Sequence, residues 1–283
     1  MNGFGKEPMR KSLTSQTVTR SRRIRCTFSP IFAQTVLTLC PMRVLVISDI
    51  HANLTALEAV LEDVGDFDAT WCLGDIVGYG PDPNESIATI RSLPKLTCLV
   101  GNHDAAVLGD IDIASFNLDA RISVRWTQSV VTKDSLDFLK GLPDKIEIAG
   151  QTLAHGSPRH PTWEYLLDTP TIADNFGYFD TPYCFVGHTH LPVIYQLDGD
   201  QRPPDHIVPD DFVPIQLTPR AIINPGSVGQ PRDRKPEAAY GIFDTKTHTL
   251  EYRRAAYDIQ SVQLRMQAAN LPERHIHRLE IGW

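Results

Sequence analysis

The chain has 283 residues, 42% of them hydrophobic and 22% charged, with a formal net charge of −7. This ordinary globular composition suffices for one α/β domain of roughly 240 residues or two smaller ones, and its acidity argues against wholesale nucleic-acid binding. No apolar run reaches the roughly 18–20 residues that span a membrane, and five scattered cysteines without a CxxC pair (Cys26, Cys40, Cys72, Cys98, Cys184) read as free thiols of a reducing cytoplasm.

Residues 1–41 carry seven basic residues against one acidic, a net of +6, which leaves −13 for residues 42–283. Three readings compete for this basic, Ser/Thr-rich stretch: an organelle transit peptide, a disordered basic arm, or a segment outside the working protein, with Met42 as the natural start. The third is favoured because an apolar strand begins just after Met42, and in all three cases residues 1–41 stay outside the fold. Val44 to Ile47 is a continuous apolar run, expected to be a strand buried on both faces. Residues 53–63 place Leu54, Leu57, Val60 and Leu61 at helical spacing behind Asn53 as N-cap. A strand at 69–74, a short helix at 84–93 and a strand at 96–101 follow. This β-α-β-α-β rhythm predicts an α/β fold with parallel strands at its centre.

Residues 112–142 read as a helical stretch and 145–157 as a hairpin turning at Ala149-Gly150. A helix is expected over 170–177, with strands at 183–186, 192–197 and 220–224. A late hairpin covers 238–255, and 258–280 is helical with a break near Pro272. Residues 199–214, rich in Asp and Pro, are expected to be an irregular loop. No repeat or second-domain boundary is visible within 42–283.

The chemistry sits where strands end. The first is followed by Asp49-Ile50-His51, the second by Gly74-Asp75, and the third by Gly101-Asn102-His103-Asp104. Two later strands lead into His155-Gly156 and Gly187-His188-Thr189-His190. Five strands thus deliver Asp, Asn or His at their carboxyl ends, the edge where open α/β sheets bind ligands. In an extended segment His188 and His190 would face one spot, two residues apart. Carboxylates mixed with imidazoles, and no cysteine, suit Mn, Fe or Zn. The candidates are too many for one tetrahedral ion, but two ions about 3.5–4 Å apart would use them all.

These stretches, "DIH", "GDIVGYG", "GNHD", "AHG" and "GHTH" in that order, resemble the five motifs of the calcineurin-like metallophosphoesterase superfamily over about 42–244. "INPGSVGQPRD" (223–233) further resembles its small bacterial and archaeal phosphodiesterase branch, which includes diadenosine tetraphosphate hydrolases. The resemblance implies a four-layer α/β/β/α sandwich of two mixed sheets. It implies one metal held by Asp49, His51, Asp75 and His190, and a second by Asp75, Asn102, His155 and His188. Asp75 and a water or hydroxide would bridge them, the hydroxide attacking phosphorus in line. His103 would stabilise the transition state or protonate the leaving oxygen.

One departure stands out. The protein Ser/Thr phosphatase branch has an Asp three residues after the bridging Asp, paired with the catalytic His; this chain has Gly78. Asp104 is the expected substitute partner for His103. Asn102 and Arg232 are the expected substrate contacts, with Arg234 and Lys235 as further phosphate holders or solvated loop cations. Asn224 is expected to organise the turn near the metals, and Thr189 to be a spacer. Tyr79, Trp163 and Tyr165 are candidate pocket walls, with plain packing as the competing reading. His160, His206, His248, His275 and His277 read as surface residues. The expected function is hydrolysis of a small phosphodiester, nucleotide or dinucleoside polyphosphate by a cytoplasmic enzyme without membrane or long nucleic-acid partners. A Ser/Thr phosphatase, a nuclease and a non-catalytic scaffold of the same fold are the alternatives; Gly78, the −13 charge and the intact ligand set count against them in turn.

Overall fold

Strand β1 (Arg43–Ile47) shows how the layers arise. Its side chains alternate between two faces. Leu45 and Ile47 join a core with Leu57 and Val60 of helix α1 (Leu54–Asp63). Val44 and Val46 point the other way, into a second core with Tyr183, Phe185 and Ile223. A strand apolar on both faces must be covered on both faces, here by helices and by another sheet. The computed structural model of the chain describes residues 41–199 and 203–283, besides Met1. The expectations for the basic segment, with Cys26 and Cys40, fall almost wholly on residues 2–40 and lie outside the described residues.

The first sheet is completed by β2 (Ala69–Cys72), β3 (Leu96–Cys98), β9 (Pro214–Gln216), β11 (Ala238–Asp244) and β12 (Thr249–Ala255), in the order β3-β2-β1-β11-β12-β9. The second holds β4 (Lys145–Ile148), β5 (Gln151–Ala154), β6 (Tyr183–Phe185), β7 (Val193–Gln196), β8 (Asp205–Ile207) and β10 (Ala221–Asn224), in the order β4-β5-β6-β10-β7-β8. Each sheet is mixed. β1, β2 and β3 run parallel, as do β5, β6 and β10. Between the sheets, Trp71 meets Phe185 edge-on at 5.3 Å and lies 5.8 Å from Phe243. Beyond the second sheet, Cys184 and Ile222 pack on Ile172 and Phe176 at helix α6 (Thr169–Asn175). The result is the four-layer α/β/β/α sandwich. Among the described residues no helix is long and apolar enough to cross a membrane.

Several expectations are refined. The Asn53 carboxamide accepts from the Ala56 amide at 3.1 Å, so the predicted N-cap is present. α2 (Pro83–Arg91) starts on a proline, which suits the first helical turn. The helical stretch at 112–142 is a 3-10 turn (Ile113–Ser115) followed by α4 (Leu118–Val130) and α5 (Lys133–Lys140), each with its own side-chain cap. α3 (Asn102–Leu108) was not foreseen, because its first turn is the polar "NHD" itself. β8, and β9 at its far end, fall on the expected 199–214 loop as short, mostly exposed edge strands that carry no apolar signature.

At the carboxyl end, α7 (Ile259–Ala268) and α8 (Glu273–Ile281) flank the expected break at Pro272. His275 is buried, contrary to its surface reading, because it shares the inward face of α8 with Ile276 and Leu279. Its ring lies 4.4 Å from that of Tyr79. His248 is half-buried beside Tyr183, while His160, His206 and His277 are exposed. Burial, helped by the cationic Arg278, lowers His275 from 6.5 to about 3. The unfolded chain takes up this proton near pH 6.5, and the folded chain refuses it until about pH 3. Stability therefore falls as pH drops through that window, by up to ~1.4 kcal/mol per unit from this residue. Thermal melts between pH 7 and 4 should show a shallower loss for His275→Leu than for the parent; parallel slopes would contradict this burial.

Candidate metal centre

The parallel strands of each sheet end at one edge, and their loops carry the site. Five of the expected ligands sit in left-handed backbone, with φ of 54° at Asp49, 49° at His51, 53° at Asp75, 65° at His188 and 61° at His190. Non-glycine residues adopt this region at a cost of roughly 1–2 kcal/mol each. Hydrogen bonds hold these turns: Asp49 N–H donates to the Gly74 carbonyl at 3.0 Å, and His51 N–H to the Asp75 carbonyl at 2.9 Å. The His188 N–H donates to Asp49 Oδ2 at 3.0 Å, tying the two sheets together at the site. His188 and His190 are thus not the extended pair expected from the sequence. Left-handed kinks send them to different groups.

Asp49, His51 and His190 converge in one group, and Asp75, His155 and His188 in another, each able to hold a metal ion by its donor set and spacing. The Asp75 carboxylate lies between the groups, its Oδ2 3.7 Å from His51 Nε2 and 3.3 Å from His155 Nε2. Asn102 Oδ1 is 3.2 Å from His155 Nε2. All seven residues are buried.

Backbone carbonyls fix the rings. A carbonyl can only accept, so the facing ring nitrogen must donate. His51 Nδ1 donates to Val77, His155 Nδ1 to Leu73 and His190 Nδ1 to Gln230, at 3.2, 2.9 and 2.6 Å. Their Nε2 atoms therefore face the site. His188 is reversed: its Nε2 donates to the Trp163 carbonyl at 3.1 Å, which turns Nδ1 inward. This use of the second nitrogen is typical of histidines that ligate metals. Burial pushes His51 and His190 well below 6.5, so both are neutral. Their Nε2 lone pairs then face each other at 3.2 Å. Nearby, Asp49 Oδ1 is buried without a hydrogen-bond partner. Two lone pairs and an orphaned carboxylate oxygen in one place call for a cation. The acids are perturbed to match. Burial raises Asp49 to about 6. Burial would also raise Asp75, but His155 and His103 hold it well below its usual value.

The calcineurin-like phosphoesterase superfamily domain profile matches residues 42–248, a stretch that contains every one of these side chains. The chain belongs to this superfamily. The chain is accordingly a phosphoester hydrolase of the metallophosphoesterase type. An uncharacterised protein of Methanocaldococcus jannaschii is 41% identical over 244 residues, covering 84% of this chain and 97% of that one. Phosphodiesterase YfcE of Escherichia coli is 27% identical over 209 residues, covering 72% and 88%. The crystal structure of a metallophosphoesterase from Sphaerobacter thermophilus matches with a TM-score of 0.79 at 44% identity, covering 86% of this chain and 99% of that one.

Within this phosphoesterase, the His103 ring packs 4.3 Å from Tyr79 and 5.0 Å from His51 and Phe116. Burial lowers it to about 4. Asp104 is not its partner, which corrects the expectation. The Asp104 carboxylate accepts instead from the amides of Val77 and Gly101 at 3.0 Å and of Ile76 at 3.3 Å, clamping the loop after Asp75 to the start of α3. His103 Nδ1 is buried with no hydrogen-bond partner. A Cβ on Gly78 would lie 2.6 Å from that atom, and Gly78 has φ +89°. The ring therefore occupies the space where a carboxylate at position 78 would start.

Around the rim, Asn224 Nδ2 donates to the Gly187 carbonyl at 2.6 Å and to Thr189 Oγ1 at 2.9 Å, holding the turn that presents both histidines. Thr189 is thus an anchor for Asn224 rather than a bare spacer. Tyr165 stacks on His188 at 3.7 Å. Glu164 accepts from Ser157, Asn175 and Arg159, which together hold it at about 2 although burial would raise it. This fixes the loop that offers the Trp163 carbonyl. Lys235 pairs with Asp211, and Arg234 lies over Trp283, so neither joins the metal groups. The sequence reading does not reach Arg274 and Arg278, which share a pocket with Arg232; their i,i+4 spacing on α8 was the available signal. Gly78→Ala should cost about 1–3 kcal/mol by overpacking and displace the His103 ring. A melting curve and a crystal structure of the variant check this; an unmoved ring at parental stability would contradict the close approach.

Proposed function

We propose that the protein is a two-metal phosphodiesterase acting on a small phosphodiester, nucleotide or dinucleoside polyphosphate. The observation that carries the reading is the pair of neutral Nε2 lone pairs, 3.2 Å apart, beside the orphaned Asp49 oxygen. Asp49, His51, Asp75 and His190 would hold one ion. Asp75, Asn102, His155 and His188 would hold the other. The imidazole and carboxylate donors suit Mn, Fe or Zn. When bound, such ions supply water activation near neutral pH and neutralise charge on phosphoryl oxygens.

The chain's own residues do the rest. The Asp75 carboxylate, steadied by the His103 amide at 2.8 Å, joins the two ligand groups. His103 is neutral at pH 7 and donates a hydrogen bond to a phosphoryl or leaving oxygen. Asp104 positions both, by fixing the Asp75 loop against α3. The Arg232 amide donates to the His190 carbonyl at 3.4 Å, which anchors the residue beside the ligand groups, where its guanidinium would meet a phosphate oxygen. Support for a diester comes from the E. coli relative named phosphodiesterase. The Gly78 space filled by His103 counts against the protein-phosphatase alternative.

Asp75→Asn should remove most bound metal and most hydrolysis of bis-p-nitrophenyl phosphate together, read by elemental analysis and by release of p-nitrophenol. Parental metal content with normal turnover would contradict the ligand assignment. His103→Ala should keep its metal and lower kcat by roughly 10²–10⁴, the range for a lost acid–base group. Loss of metal in that variant would make His103 a ligand.

A further inference from the structure

We propose that Arg232, Arg274 and Arg278 form a second anion site, which takes a distal phosphate of a nucleoside polyphosphate whose ring rests on Tyr165 or Trp283. This deepens, and rests on, the phosphodiesterase reading. The site is a pocket of about 400 Å³ beside the metal groups, lined by these five residues and by Thr189 among others. That volume suits a nucleotide-sized ligand. It adjoins the candidate metal centre through Thr189 and Tyr165. Thr189 stands between His188 and His190, and Tyr165 covers the His188 ring.

The charges point to an anion. Among the described residues, no carboxylate oxygen lies within 4.0 Å of any of the three guanidinium groups, whereas Arg159, Arg253, Arg254 and Arg265 each sit on one. Asp233, next to Arg232, pairs with Arg254, and Glu273, next to Arg274, lies 3.5 Å from His277, while Asp119 acts on Arg278 only from beyond 4.0 Å. The Nε atoms of Arg232 and Arg278 are buried without a hydrogen-bond partner. Burial, with Arg232 and Arg274 alongside, pushes the Arg278 guanidinium down from its usual value. Three cations converge with no carboxylate in contact, and a phosphate offers oxygens to all three. A single phosphoryl group bridging two metal ions needs no such cluster. A substrate with a further phosphate does. Tyr165 and Trp283 are 42% and 55% exposed, so each offers ring surface on which a base can stack.

Part of the wall of this pocket lies outside the superfamily match. Arg274, Arg278 and Trp283 lie beyond residue 248, where the superfamily match ends. The metal groups lie within it.

The test is calorimetric titration of the chelated full chain with adenosine 5′-(β,γ-methylene)triphosphate, alongside AMP. Arg274→Gln and Arg278→Gln should each weaken the triphosphate analogue roughly tenfold, the loss expected for one charge-assisted hydrogen bond. AMP, which has no distal phosphate, should lose much less, so the preference for the analogue over AMP collapses. Arg274 is exposed, so its variant should fold even if Arg278→Gln does not. Lys246→Gln, an exposed cation away from the site, is the control for general charge. An analogue affinity within twofold of the parent in Arg274→Gln, or a loss matched by the control, would overturn the site. Arginine-dependent binding in a chain that hydrolyses no phosphodiester would support the site and sink the hydrolase reading. Diester hydrolysis without arginine-dependent binding would do the reverse.

Discussion

Two imidazole nitrogens, on His51 and His190, point their lone pairs at each other across 3.2 Å. Nothing in their own chemistry makes this favourable. The rings stay there because their far nitrogens are committed to the carbonyls of Val77 and Gln230. Much of the architecture follows from keeping these rings, and their counterparts on the second group, in place. Five ligand positions take left-handed backbone, a cost that only a well-packed surround can carry. The surround is the double-sheet core, in which Trp71, Phe185 and Phe243 lock one sheet to the other.

The site needs both sheets. Asp49, His51, Asp75 and Asn102 follow strands of the first, while His155, His188 and His190 follow strands of the second. The tie between them is short: the His188 amide on Asp49, and the Asn53 carboxamide on the Gly229 carbonyl at 3.0 Å. Space at the junction is tight enough to dictate residue type. A Cβ on Gly101 would sit 2.1 Å from Asp75 Oδ1, so no other residue fits without moving that carboxylate. A donor set this crowded and this buried cannot adjust freely to whatever arrives. It is pre-organised for small, highly charged cations.

The parts of this that were legible in the sequence are those where one residue type has one physical use. Val44 to Ile47 reads as a buried strand because it is a short, largely β-branched apolar run that ends at a polar turn. Asp, Asn and His recurring at five strand ends mark the site because chance does not repeat so regularly. The parts that were not legible depend on where chains meet. α3 is hidden because its first turn is made of site residues. β8 and β9 gain strand geometry from their neighbours rather than from their own side chains. His275 reads as exposed until α8 is placed against Tyr79. Asp104 lies next to His103 in sequence, yet a helical first turn sends it to three backbone amides instead. Arg274 and Arg278 become neighbours of Arg232 only through the fold.

The central claim is that the facing lone pairs and Asp75 hold two cations. Anomalous diffraction from crystals of the full chain grown with Mn tests it most directly. Two peaks are predicted, roughly 3.5–4 Å apart, one between Asp49, His51 and His190 and the other between Asp75, His155 and His188. A single peak, or peaks that do not touch the His51 and His190 Nε2 atoms, would contradict the account.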